Sequence, residues 1–103
     1  MDIIVFITVP GRKQAQDIAG QLVARKLAAC VNIIPGLTSV FPWKGKIERA
    51  KELLLVAKTT KARFAALERH VRSVHSYEVP EVVAFPIVKG NRDYLEWLHA
   101  SVR

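Results

Sequence analysis

A single cysteine, Cys30, stands among 103 residues, so no intrachain disulfide can form and nothing in the sequence calls for an oxidising compartment. One Cys and three His without close pairing cannot supply the three or four ligands that a structural zinc ion takes from one chain. Long apolar runs are missing too. None is longer than Ile3 to Ile7, far short of the roughly 18 residues that cross a bilayer, so no membrane insertion is expected. A secretory leader would need a basic start, yet Asp2 comes first and Pro10-Gly11-Arg12-Lys13 interrupts the apolar stretch where cleavage would fall; the expected location is the cytoplasm. Gly and Pro number only five each and no low-complexity tract occurs, which excludes a linker-like or disordered chain. With 50% hydrophobic and 24% charged residues, the sequence describes one domain over 1–103, large enough for a single core and too short for two.

Sixteen Lys+Arg against nine Asp+Glu give a formal net charge of +7. The basic residues are spread along the chain, with doublets at Arg12-Lys13 and Arg25-Lys26 and a close pair at Lys44 and Lys46. They form no stripe and no stacking aromatics accompany them, so a solvated surface without specific nucleic-acid binding is expected.

Ile3 to Val9 reads IIVFITV, a β-branched run before Pro10-Gly11 that predicts a central strand buried on both faces. Ala15, Ile18, Ala19, Leu22, Val23 and Leu27 then form one helical stripe. Ala29 to Ile34 is extended, Pro35-Gly36 interrupts it, and Leu37 to Phe41 resumes before a turn at Pro42-Trp43-Lys44-Gly45. The return strand is clearest at Leu53 to Ala57. Thr59 or Thr60 is the expected cap of a second helix with the stripe Phe64, Leu67, Val71 and Val74, which His75 to Pro80 ends. Val82 to Val88 is a last strand, placed at a sheet edge by Pro86. Asn91 caps a terminal helix carrying Tyr94, Leu95, Trp97 and Leu98. The order is βαββαβ plus a C-terminal helix, an α+β ferredoxin-like plan: an antiparallel sheet with helices on one face and strands in the order fourth, first, third, second.

Many functions use this plan, so function must be argued from sites. A CxxC metal loop after the first strand is absent, Pro10-Gly11-Arg12-Lys13 standing there. The strand Leu53 to Lys58 carries no aromatic platform for RNA. Pro10 to Lys13 offers one Gly and no phosphate-cradling consensus. Cys30 lies among Ala28, Ala29 and Val31, the setting of a buried small hydrophobe and not of an activated nucleophile. His75-Ser76-Tyr77-Glu78-Val79-Pro80-Glu81 is the densest polar cluster. Imidazole suits Cu(II), and Glu78 can ligate beside His75 or orient its ring; the competing reading is that His75 and Tyr77 only shape the loop. Trp43 at a hairpin tip is expected to pack on another subunit.

Ala28-Ala29-Cys30-Val31-Asn32-Ile33, Trp43-x-Gly45-Lys46, Lys58-Thr59, His75-x-Tyr77-Glu78-Val79-Pro80-Glu81 and Asp93-Tyr94-x-x-Trp97 together resemble the CutA divalent-cation tolerance family along essentially the whole chain. The resemblance implies a ferredoxin-like subunit in a PII-like homotrimer built by pairing long hairpins, and a link to copper tolerance. It places Cys30, Trp43, Glu52, Lys58, His75, Tyr77, Glu78 and Trp97 near a cleft between subunits. Two departures stand out. Ile7 occupies the place of a second cysteine found in some members, which removes paired sulfurs for Cu(I), and Ser76 replaces a frequent proline. The expected function is therefore a non-enzymatic homotrimer that binds a divalent metal ion, copper foremost, with Cys30, His75 and Glu78 as metal candidates and Trp43, Glu52, Lys58, Tyr77 and Trp97 around the cleft. Two alternatives remain: a PII-like sensor binding a small anionic metabolite or nucleotide through Lys58, and a structural trimer that positions a partner protein.

Overall fold

The computed structural model describes residues 1–103. Its elements are β1 (Asp2–Val9), α1 (Arg12–Ala24), β2 (Cys30–Trp43), β3 (Lys46–Thr60), α2 (Phe64–Val74), β4 (Val82–Pro86) and α3 (Arg92–Ser101), with a single 3-10 turn at Lys61–Arg63 leading into α2. All strand pairings are antiparallel, and the order is β2-β3-β1-β4, the expected ferredoxin-like arrangement. The two apolar central strands and the proline-bearing edge strand stand where their composition puts them.

The core lies between one sheet face and the helices. Ile3, Val5, Ile7 and Val9 of β1 and Leu55 and Ala57 of β3 meet Ala15, Ile18 and Leu22 of α1 and Leu67 and Val71 of α2. The helices are also joined by a 2.8 Å hydrogen bond between His70 Nε2 and Gln21 Oε1. Because side chains alternate along a strand, the opposite face presents Ile4 and Phe6 of β1, Leu54 and Val56 of β3, Ile34 of β2, and Val83 and Phe85 of β4. Neither α1 nor α2 covers this face: Val83 is 50% exposed and Phe85 42%. β1 is thus buried by helices on one face only, contrary to a reading from its continuous apolar run.

Local differences have local causes. Val23 and Val74 belong to the helical stripes in sequence but are exposed at the last turns of α1 and α2, and Leu27, the last residue of the first stripe, is buried beyond the end of α1. Neither Thr59 nor Thr60 caps α2: Thr60 precedes the 3-10 turn without a side-chain cap bond, and Thr59 Oγ1 is buried without a hydrogen-bond partner. β4 ends at Pro86, two residues short of Val88, although Ile87 N–H still donates to the Asp2 carbonyl at 3.0 Å. The Asn91 cap forms as expected, its side chain accepting from Tyr94 N–H at 3.0 Å.

The charged stretch Lys46 to Lys51 is strand despite its composition, because it pairs residue for residue with Thr38 to Trp43. The turn between them is Lys44-Gly45, with φ of 49° and 82°, the two positive values that a two-residue hairpin needs. β1 pairs no further than Leu53, so the rest of the hairpin projects as a two-stranded arm and stretches the subunit to 45 × 25 × 23 Å.

Candidate functional site

The segment after α2 is fixed at its first three residues. His75 is buried. Its Nδ1 accepts from Tyr77 N–H at 3.0 Å, which leaves the ring proton on Nε2, and Nε2 donates to the Thr8 carbonyl at 2.8 Å. Both ring nitrogens are therefore engaged inside the protein. Ser76 N–H donates to Gln14 Oε1 at 3.0 Å, and Gln14 Nε2 donates back to Ser76 Oγ at 3.0 Å. This side-chain clasp holds the segment to α1 where the frequent proline is absent. Tyr77 packs its ring 4.8 Å from that of His75 and donates its hydroxyl to Glu52 Oε2 at 2.7 Å. Burial, the bond to Glu52 and the Glu52 charge together push the Tyr77 phenol up to about 12. Glu52 itself is only 5% exposed.

A bulge brings the hairpin to the same place. Between Ile34, which pairs with Leu54, and Leu37, which pairs with Glu52, β2 carries one residue more than β3. Even-numbered residues of β2 face the uncovered side before Pro35-Gly36, and odd-numbered ones face it afterwards. Gly36, at φ 85°, takes the positive angle this change requires. Phe41 and Trp43 consequently share a face with Glu48 and Glu52. Between this face and the 75–81 segment opens a cleft of about 760 Å³. Trp43, 40% exposed, stands at its outer end, with the Lys44 ammonium 5.8 Å from its ring centre.

The cleft is acidic. Glu48, Glu52, Glu78 and Glu81 line it against one cation, Arg49, so four of the nine acidic residues of a +7 chain meet in one hollow.

The residues expected around one cleft divide into two groups. Trp43, Glu52, Tyr77 and Glu78 line the hollow, and His75 braces its wall from behind. Cys30 and Lys58 pair with each other at the far end of the sheet, where β3 has run six residues beyond Glu52, roughly 20 Å. Cys30 is half-buried, not enclosed. Trp97 lies on α3, packed 5.5 Å from Tyr94, whose phenol is raised by burial and then by Cys30 nearby. One chain therefore does not bring Cys30 to His75 and Glu78, and no three His, Cys, Asp or Glu side chains stand close enough to hold a metal ion. Sequence reasoning did not place Gln14, Phe41 or Glu48 at the site, and Glu81 entered it only as a member of the polar segment 75–81. Gln14 carried no signal, whereas Phe41 and Glu48 follow once the bulge and the turn fix the register.

Residues 3–101 match the family model described as CutA1 divalent ion tolerance protein. The divalent-cation tolerance protein CutA of Thermus thermophilus is 52% identical over 101 residues, covering 98% of both chains. The chloroplastic protein CutA 1 of Oryza sativa subsp. japonica is 48% identical over 98% of this chain, which spans 57% of its length. The solved structure titled periplasmic divalent cation tolerance protein CutA, from Archaeoglobus fulgidus, superposes with a TM-score of 0.97 at 41% identity, covering 100% of both chains.

Proposed function

The chain belongs to the CutA1 divalent ion tolerance family, and from that premise we propose that it is a homotrimer that binds a divalent cation, copper foremost, in the acidic cleft. The observation that carries this reading is the gathering of Glu48, Glu52, Glu78 and Glu81 against a single Arg49. Such a hollow concentrates cations and repels anions. Among first-row divalent ions Cu(II) binds a given oxygen and nitrogen donor set most tightly. Glu78 and Glu81, both exposed, are the ligands we assign, and a neighbouring copy completes the coordination that one chain leaves short. His75 serves as a brace, since ligation would break its bond to Thr8 or to Tyr77. Cys30 lies outside the site. A half-exposed thiol suits a reducing compartment, and we place the protein in the cytoplasm. In this reading it binds and carries out no reaction.

The anionic-ligand alternative has less support, because Lys58 stands at the other end of the sheet from the cleft. Titration calorimetry with Cu(II) and a nucleotide panel tests the choice. Glu78→Gln with Glu81→Gln should lower Cu(II) affinity roughly 10- to 100-fold, while His75→Gln should affect it only as far as the segment loosens. Unchanged Cu(II) affinity in the Glu double variant, or tight nucleotide binding without metal, would reject the reading.

A further inference from the structure

The basic residues are scattered in sequence but not in space. Residues 12–26 and 61–74, which form α1, α2 and the turns at their ends, hold eight Lys or Arg and only two acidic residues. Six of the seven net positive charges thus sit on the helical side of the sheet, and the rest of the molecule is almost neutral. Both acids, Asp17 and Glu68, are already paired with Lys13 and Arg72 of their own helices. Such exposed pairs leave the surrounding field positive.

The layout of the charge indicates what it meets. Arg12 and Lys13 are exposed at one end of α1, and Arg25 and Lys26 at the other, roughly 20 Å away at the helical rise. On the neighbouring α2, Arg69 and Arg72 are exposed as well. Two helices packed side by side on a sheet make a broad surface, and the cations are distributed across it in two dimensions. The one aromatic residue of this surface, Phe64, packs against the core, so no base-stacking platform exists. A planar array of phosphates matches it better than a duplex backbone does.

We propose that the α1–α2 layer is a docking surface for an anionic phospholipid bilayer, held by electrostatics and without insertion. No helix is long and apolar enough to cross a membrane, and no Trp or Tyr lies on the layer to anchor at the headgroups. Binding is therefore peripheral, reversible and salt-sensitive.

Sedimentation with vesicles of phosphatidylcholine alone, and of phosphatidylcholine with phosphatidylserine, tests this on the full chain. Binding should require phosphatidylserine and vanish at about 0.5 M salt, where screening cuts exposed charges off. Lys26→Ala with Arg69→Ala should lower affinity roughly thirtyfold, from the worth of two basic residues near an anionic surface. Lys51→Ala with Lys89→Ala, equally exposed but outside the layer, should leave it unchanged. Circular dichroism would verify the fold of each variant. Equal binding to both vesicle types, equal loss in the two double variants, or tighter binding to a DNA duplex than to the vesicles at equal phosphate would overturn the proposal.

Discussion

Glu52 is buried, and its one hydrogen bond comes from the Tyr77 hydroxyl. A buried carboxylate deprived of its donor keeps its full desolvation cost, so Tyr77→Phe should destabilise the protein by about 1–3 kcal/mol in denaturant titrations. Adding Glu52→Gln should recover part of that loss, because a neutral amide tolerates burial better than a charge. The same pair has a pH signature. The Tyr77 phenol titrates near 10 when unfolded and at about 12 when folded, so its contribution is intact below pH 10 and fades as pH rises from 10 to 12. Tyr77→Phe should lack that alkaline decline; an identical alkaline profile in both proteins would show that the Glu52 contact does not hold the phenol proton.

Among the elements, β1 and the centre of β3 are legible in sequence because apolar β-branched runs state both their conformation and their central place. The helical stripes state their buried faces equally well. The arm is different. Lys46 to Lys51 has poor strand composition, and only pairing across the Lys44-Gly45 turn makes it a strand. Likewise, His75 and Cys30 look like co-ligands when residue types alone are considered, yet the register sets them at opposite ends of the sheet. Residue types reveal chemistry, whereas register and bulge decide which chemistries meet. The turn is the point at which the arm can be tested. Gly45 sits at φ 82°, and no atom lies within 4 Å of the place a methyl group would take there, so Gly45→Ala adds backbone strain without a clash. It should cost about 1–2 kcal/mol and speed amide exchange across Phe41 to Glu48. Unaltered exchange there would mean that the turn does not set the register of the arm.

For the whole molecule, two features are incomplete in a single subunit. The sheet face of Phe6, Val56, Val83 and Phe85 is open to water, with the Phe6 and Phe85 rings edge-to-face at 4.9 Å, and the arm is a two-stranded ribbon with Val40 and Ile47 exposed. Isolated two-stranded ribbons are marginal in water, and contiguous apolar faces of this kind mark interfaces. A closed assembly of identical copies would resolve both by covering each subunit's open face and arm, and this supports the trimer proposed above. Phe85→Lys places a charge on the open face beside Phe6, where burial without a partner carries a heavy cost. It should shift the protein from trimer toward monomer at micromolar concentration in light scattering. Trp43→Ala, at the end of the arm, should weaken assembly less, because Trp43 lies beside the cleft and not in the centre of that face. A wild-type protein that runs as a monomer at the same concentration, or a Phe85→Lys variant as fully trimeric as wild type, would mean that the open face is covered in some other way.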